Sequence, residues 1–136
     1  MNTHKSQLNK GFTLIEMLIV FTLIGILVGL GIPQYRYATK RAREAVLKEN
    51  LFQLRKTIDQ YYVDKGKYPP SLQSLIEENY LRMIPEDPMT NSSETWIVVR
   101  EELTEENLYL GIEPGIFDIH SGSDEKAIDG SFYREW

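Results

Sequence analysis

The chain contains no cysteine among its 136 residues, and only two histidines, His4 and His120. A disulfide framework, a thiolate metal site and a cysteine nucleophile are therefore excluded. Zinc needs three or four ligands, more than the histidines can supply. His120 and Ser121 are neighbours on a predicted strand, so their side chains point to opposite faces. The nine glycines match neither a Walker A loop nor a dinucleotide fingerprint, and no enzymatic activity is predicted.

Positive charge is scarce in the distal half of the chain. Residues 77–136 hold 4 Lys/Arg against 15 Asp/Glu, whereas residues 1–76 hold 11 against 5. Because phosphate binding needs a basic surface, we expect no nucleic-acid partner. The acidic half is either a solvated face that favours solubility or a surface for cations or a basic partner.

Charge is also missing from the segment between Gly11 and Pro33, where Glu16 is the one charged residue among 21. As a helix this segment spans roughly 30 Å, the thickness of the hydrocarbon core of a bilayer. It is too long for the apolar region of a signal peptide, and no Ala-x-Ala-like cleavage site follows it. The small residue that could mark a cut is Gly11, which precedes the run. Cleavage there would discard a short polar leader and retain the apolar helix.

The stretch KGFTLIEMLIV, residues 10–20, resembles the leader junction of prepilins, the family of type IV pilins and type II secretion pseudopilins. The resemblance implies that a prepilin peptidase cuts between Gly11 and Phe12 and methylates the new amino group of Phe12. Glu16 matches a glutamate of that family. The resemblance further implies that Glu16 pairs with the Phe12 amine of a neighbouring subunit, so that each charge relieves the other. The alternative is a glutamate that reaches the headgroups without a partner.

Four basic residues follow the span: Arg36, Lys40, Arg41 and Arg43. The positive-inside rule alone would place them in the cytoplasm, but the resemblance implies the opposite, because the peptidase acts on a cytoplasmic leader. We therefore predict a single-pass inner-membrane protein. Its parts are a cleaved leader (residues 1–11), a transmembrane and filament-core helix (residues 12–32) and a periplasmic pilin-like domain (residues 33–136).

The apolar segment contains small residues and is followed by a proline. Gly25 and Gly29 form a GxxxG pair, which favours close packing between helices. Pro33 removes a backbone donor, which favours instead a soft helix that extends within a filament. Both interpretations stay open at this point, and all three residues are predicted to take part in assembly.

After Pro33 the pattern stays helical and becomes amphipathic. One apolar stripe predicts a core-facing helix face: Leu47, Leu51, Leu54, Ile58 and Tyr61. The helix is expected from about residue 13 to 65, with Gly66 as its stop. A short helix should run from Leu72 to about Leu81, with strands at 95–100, 107–112 and 116–120. The predicted fold class is α+β, with a long N-terminal helix packed on a short helix and a small antiparallel sheet, as in pilins.

The resemblance extends along the chain and is greatest to the major pseudopilins of type II secretion systems. It covers KGKYPPSLQSL, IPEDPMTNSSETW and DIHSGSDEKAIDGSFYREW. In that group the terminal loop binds one calcium ion, which implies Asp124 and Asp129 as ligands with Ser121 and Ser123 nearby. Calcium takes six to eight oxygen ligands. Glu125 and the loop length depart from the group's pattern, so the carbonyl ligands are open, and an ordinary polar turn is the alternative.

The resemblance implies a structural subunit of a type II secretion pseudopilus, a homopolymer that drives export of folded proteins across the outer membrane. Its implied partners are minor pseudopilins, the prepilin peptidase and an inner-membrane assembly platform with a cytoplasmic ATPase. One alternative is a type IV pilin of a surface fibre, which the lack of a cysteine pair disfavours. Another is a membrane-anchored binding module that never polymerises.

Overall fold

The computed structural model describes residues 10–136 of the chain. They belong to two compact units, Met1–Ala38 and Thr39–Trp136. The elements in order are α1 (Leu14–Lys65), α2 (Leu72–Glu77), β1 (Ile97–Arg100), α3 (Glu105–Tyr109), β2 (Ile116–His120) and a 3-10 turn (Tyr133–Glu135). The predicted α+β, pilin-like fold class is confirmed. The predicted leader lies outside the described residues apart from Lys10 and Gly11, and the domain boundaries stay predictions.

The described part of the first unit is the beginning of α1, an apolar helix with its side chains exposed. Among the exposed large apolar side chains of residues 12–32, exposure ranges from 43% at Val20 to 87% at Leu14. By length and composition α1 is the one helix among the described residues that is able to cross a membrane. Such a continuous apolar surface needs lipid or protein around it.

Pro33 lies inside α1, which continues on both sides of it. Proline has no backbone N–H, so the hydrogen bond from residue 33 to the carbonyl of Gly29 is absent. The helix therefore has a weak point where the second glycine of the GxxxG pair lies.

The second part of α1 is the spine of the unit Thr39–Trp136. The five residues of the predicted stripe are all buried, at 0–2% exposure, which confirms the predicted core face. The core is completed by residues from the rest of the unit: Leu75, Trp96, Ile116, Ile119, Ala127 and Tyr133. Gly66 ends the helix in the left-handed region, at φ 71°, where a residue without Cβ is favoured.

Helix α2 begins as predicted and ends earlier. The Ser71 hydroxyl caps it by accepting a hydrogen bond from the backbone N–H of Ser74, at 3.1 Å. The helix ends at Glu77 rather than near Leu81, because Asn79 adopts a left-handed conformation (φ 65°). An asparagine in that region closes a helix much as glycine does.

A carboxylate on the turn after α2 forms an ion pair and a hydrogen bond with the end of α1. Glu78 Oε2 pairs with Lys65 Nζ at 2.5 Å, and its Oε1 accepts a hydrogen bond from the Tyr61 hydroxyl at 2.9 Å. The lysine and then the tyrosine hold the pKa of Glu78 below its ordinary value. The pair therefore keeps its charges at neutral pH and ties the two helix ends together.

The sheet has two strands, not three, within the described residues. β1 and β2 are antiparallel, with Ile97 opposite His120 and Val98 opposite Ile119. The predicted strand at 107–112 is wrong, because this region holds α3 and a turn. Glu105 and Glu106 occupy the first turn of α3, where acidic side chains favour a helix.

Two buried carboxylates hold the loops of this unit, and the first is Asp87, with 0% exposure. Its Oδ2 accepts hydrogen bonds from the Ser121 hydroxyl (2.6 Å) and the Gly122 N–H (3.0 Å). Its Oδ1 accepts one from the Met89 N–H (2.8 Å). Asp87 therefore joins its own turn to the start of the terminal loop.

The second buried carboxylate is Glu44 of α1, at 8% exposure. Its Oε1 accepts hydrogen bonds from the Ile128 N–H (2.7 Å) and the Tyr133 hydroxyl (2.8 Å). Burial, and then the bond to Glu44, raises the pKa of Tyr133, so its hydroxyl stays a donor. The terminal loop is thus bonded to the long helix as well as to Asp87.

Candidate processing and assembly site

The predicted cleavage point lies in an exposed, non-helical segment. Residues 10–13 precede α1 and have no regular secondary structure, and both Gly11 and Phe12 are exposed. Among residues 10–136, no atom beyond the chain neighbours lies within 4 Å of where a Cβ on Gly11 would be. Peptidases cut exposed chain far more readily than helix. The Gly11–Phe12 bond is therefore accessible, although its cleavage stays a prediction.

Glu16 and Thr13 form a reciprocal cap at the start of α1. The backbone N–H of Thr13 donates to Oε2 of Glu16 at 3.0 Å, and the backbone N–H of Glu16 donates to the Thr13 hydroxyl oxygen at 3.3 Å. This is a capping box, which satisfies two backbone donors that a helix N-terminus otherwise leaves unpaired. The Thr-x-x-Glu spacing is the sequence signature of this cap, whereas the roles predicted for Glu16 from the sequence were pairing with a partner subunit or reaching the lipid headgroups.

The cap uses one oxygen of the Glu16 carboxylate and leaves the other accessible. All the bonds from Thr13 reach Oε2, and no hydrogen bond within residues 10–136 reaches Oε1. The side chain is exposed in the single subunit. Glu16 therefore orders its own helix start and still offers an oxygen to an amine outside it.

Gly25 and Gly29, the predicted packing residues, lie on open helix surface. Within the described part of the chain, neither has an atom within 4 Å of its absent Cβ, apart from its own helix backbone and its chain neighbours. An approaching helix would meet no side chain at these two positions. Their roles, and that of Pro33, stay predictions.

The four predicted calcium ligands lie in two different environments. The Ser121 hydroxyl is engaged with Asp87, and the Ser123 hydroxyl oxygen accepts a bond from the Glu125 N–H. The Asp124 carboxylate is 81% exposed and pairs with Arg134 at 3.0 Å. Among the described residues no three His, Cys, Asp or Glu side chains gather as a metal site.

Asp129 is the other predicted carboxylate ligand, and it forms a local turn. Its Oδ1 accepts hydrogen bonds from the Ser131 hydroxyl (2.6 Å) and the Ser131 N–H (2.9 Å). These bonds hold the pKa of Asp129 below its ordinary value. Asp124 and Asp129 therefore carry the carboxylate oxygens that calcium prefers as ligands. The two serine hydroxyls are already hydrogen-bonded within the protein.

His120 and Ser121 have different partners. His120 Nδ1 lies 2.5 Å from the backbone oxygen of Trp136, while the Ser121 hydroxyl donates to Asp87. The two side chains therefore do not form a catalytic pair.

Comparison with known proteins gives a match to a family model at this junction and matches to relatives along the chain. The family model for the prokaryotic N-terminal methylation motif matches residues 7–32. The chain is 30% identical to type II secretion system core protein G of Pseudomonas aeruginosa over an alignment of 98 residues, which covers 60% of this chain and 69% of that protein. It is 28% identical to the core protein G of Klebsiella michiganensis over 100 residues, covering 62% and 70%.

Pilins match over a shorter stretch. The chain is 41% identical to the type IV major pilin protein PilE1 of Neisseria gonorrhoeae over 66 residues, covering 47% of this chain and 39% of the pilin. No solved structure matches the chain. The methylation motif, the α+β fold behind a long helix and the extended match to core protein G agree with one another. The chain therefore belongs to the type II secretion core protein G family of prepilin-type proteins.

Proposed function

We propose that this chain is the structural subunit of a type II secretion pseudopilus, which polymerises through the first part of α1 to drive export of folded proteins across the outer membrane. The observation that carries the proposal is the arrangement at the start of α1. An accessible Gly11–Phe12 bond lies just before the capping box of Thr13 and Glu16. A helix with exposed apolar side chains follows.

Electrostatics and close packing, rather than hydrophobicity, favour the polymer over the dispersed subunit. Lipid tails are as apolar as the helix, so moving the helix from lipid to a bundle gains little from burial alone. Open glycines such as Gly25 and Gly29 allow helices to approach closely. Cleavage would free an amine at Phe12, and the accessible oxygen of a neighbour's Glu16 neutralises it. A slip in stacking leaves both charges unpaired in a medium of low dielectric constant.

The same proposal assigns location and partners. The leader faces the cytoplasm, the first part of α1 lies in the inner membrane, and the unit Thr39–Trp136 lies in the periplasm as part of the filament. The partners are the prepilin peptidase, minor pseudopilins, and an assembly platform with a cytoplasmic ATPase. The subunit is a mechanical element and not an enzyme.

A type IV pilin of a surface fibre is the second candidate, favoured by the 41% identity to PilE1. That match covers 39% of the pilin, whereas the matches to core protein G cover about 70% of those proteins. Deletion of the gene separates the two candidates. Loss of protein secretion with surface fibres intact supports the pseudopilus, and loss of surface fibres with secretion intact supports the pilin.

Processing at Gly11 is tested by Gly11→Val. Valine adds a bulky side chain directly before the scissile bond, where Gly11 leaves the backbone uncovered for the peptidase, so we expect the precursor to stay uncut and filaments to be absent. Mass spectrometry of the chain co-expressed with the peptidase measures this. The control is Gly31→Ala, at a glycine of the same unit with equally open surroundings. Normal maturation of Gly11→Val would contradict the assignment.

We further propose that Asp124 and Asp129 hold a calcium ion, together with backbone carbonyl groups. The ion would neutralise two exposed carboxylates and tie residues 121–131 together. Ligand at about 100 times its Kd stabilises the folded state by about 2.7 kcal/mol. For a unit of this size that raises Tm by roughly 10 °C or more.

A thermal melt of the full chain in detergent, with calcium or with a chelator, measures the effect. Asp124→Ala should remove the response to calcium. Arg134→Ala should keep it, because Arg134 pairs with Asp124 and competes with the ion. An unchanged Tm in the parent chain, with Asp124→Ala equally silent, would favour an ordinary polar turn.

A further inference from the structure

The connection between β1 and β2 exposes large apolar side chains. This segment, residues 101–113, is named the β1–β2 loop. Leu108 is 60% exposed, Tyr109 95%, Leu110 70% and Ile112 46%. Single exposed apolar residues are ordinary, but four within five positions form a patch of the kind that marks an interaction surface.

The rim of this patch is acidic. Glutamate occupies five of the loop's thirteen positions, and the loop holds neither lysine nor arginine: Glu101, Glu102, Glu105, Glu106 and Glu113. Glu101 is used within the unit, where its carboxylate accepts a hydrogen bond from the Gly115 N–H at 3.0 Å. The other four are exposed. A partner that covers the patch must therefore be basic and offer some apolar surface.

The base of the loop is fastened at the end of the unit where α1 stops. The Ile116 N–H donates to the Pro69 carbonyl at 2.8 Å, and Arg100 Nη1 donates to the Pro70 carbonyl at 3.0 Å. A Cβ on Gly115 would overlap Tyr68, so the chain passes close to this point. The loop thus lies just past Lys65, the last residue of α1.

A matching basic surface lies at the other end of the same unit. Arg41 and Arg43 are exposed on the two flanks of α1, with exposed Ala42 on the outward face between them. Neither arginine has an ion pair within residues 10–136. Lys40 lies on the half-buried side of α1, where its Nζ donates to the Lys126 carbonyl at 2.6 Å, so it is not part of this surface. Val46, one turn further, is 51% exposed and supplies apolar surface. From this basic end to Lys65 is roughly 35 Å along α1, so the two surfaces do not meet within one molecule.

We propose that the β1–β2 loop of one subunit docks on the basic surface around Arg41 and Arg43 of a second copy of this chain. A contact between different surfaces of identical subunits is heterologous, and repetition without closure builds an open helical filament. The inference rests on the proposed filament and adds to it a second contact, outside the membrane helix, that fixes which subunit follows which.

Charge reversal with rescue is the experiment. The probe is the full chain co-expressed with its peptidase and assembly platform, and filaments are counted by electron microscopy. Glu105→Lys/Glu106→Lys and Arg41→Glu/Arg43→Glu should each lower the filament yield at least tenfold. The four substitutions together should restore it to within about threefold of the parent chain. Thermal melts confirm that these exposed substitutions leave the fold intact.

The absence of cysteine allows a direct measure of the contact. Tyr109→Cys together with Ala42→Cys should give disulfide-linked ladders in oxidised filaments, since the two positions belong to opposite surfaces. Tyr109→Cys with Gln53→Cys is the matched control, because Gln53 lies about three turns further along α1, and it should give no ladder.

Each outcome decides the matter. Parental yields from both reversed variants, or equal ladders from both cysteine pairs, overturn the docking contact while the pseudopilus stands. If the arginine variant loses filaments and the four substitutions together do not restore them, the two arginines bind phospholipid headgroups instead. That result also overturns the docking contact. A parent chain that forms no filament under these conditions overturns both the contact and the proposed function.

Discussion

Glu16→Gln should abolish filament assembly while the start of α1 stays intact. Glutamine replaces glutamate in a capping box, because its amide oxygen accepts the same backbone hydrogen bond. The bond from the Thr13 N–H is therefore kept, and the negative charge that would meet a neighbour's Phe12 amine is lost. The substitution separates the capping role seen in the structure from the proposed pairing with a neighbouring subunit.

The expected loss is large because the amine would be left without its counter-charge away from water. Removing one partner of a buried ion pair costs about 3–5 kcal/mol. At 1.4 kcal/mol per factor of ten, that weakens each subunit contact by more than about a hundredfold. Filament counts by electron microscopy and the mature mass of the subunit measure assembly and processing separately.

Two further substitutions at the same position serve as controls. Glu16→Ala removes both the cap and the charge and should also prevent assembly. Glu16→Asp keeps the charge on a shorter side chain, so it should retain part of the assembly. If Glu16→Gln assembles like the parent chain while Glu16→Ala does not, the cap alone is the function of this residue. In that case the pairing with Phe12 would be wrong.

Local patterns predicted the helical framework because that framework depends on local rules. The stripe from Leu47 to Tyr61 repeats at helical spacing, and all of it is buried. Gly66 ends α1 and Ser71 caps α2, since turn and cap preferences act over a few residues. The same reasoning failed at residues 107–112, where apolar residues suggested a strand. Their side chains are exposed and no strand within residues 10–136 pairs with them, so local preferences set the conformation, and the acidic first turn of α3 adds a modest contribution.

The buried carboxylates depend on contacts distant in sequence, which a single sequence does not reveal. Asp87 and Ser121 are 34 positions apart, and Glu44 and Tyr133 are 89 apart. In the sequence Asp87 is one residue of a proline-rich turn, and Glu44 is a polar residue three positions before a buried leucine. Only folding reveals that each closes a loop. At the candidate assembly site, by contrast, Gly11, Phe12, Thr13 and Glu16 are near neighbours, and the motif itself carries the information.

Asp87→Ala should destabilise the unit Thr39–Trp136 by about 3–4 kcal/mol, because one buried hydroxyl and two partly buried N–H groups lose their acceptor. The Ser121 hydroxyl and the N–H groups of Gly122 and Met89 all lose their acceptor. Each buried unsatisfied donor costs about 1–3 kcal/mol, and partial relaxation keeps the total below the sum. For a unit of about a hundred residues we expect Tm to fall by roughly 15 °C or more. Circular dichroism melts of the full chain in detergent measure it.

A graded series shows whether the acceptors of Asp87 are the cause. Asp87→Asn keeps one acceptor oxygen and should lose less stability than Asp87→Ala. Ser121→Ala removes one donor to the carboxylate and also the acceptor of the Ser123 N–H, so it should cost about 1–2 kcal/mol, less than Asp87→Ala. Asp124→Ala removes an exposed carboxylate paired with Arg134 and should cost under about 1 kcal/mol in the absence of calcium. If Asp87→Ala has the same Tm as Asp124→Ala, apolar packing holds the two loops together and the buried carboxylate does not contribute to stability.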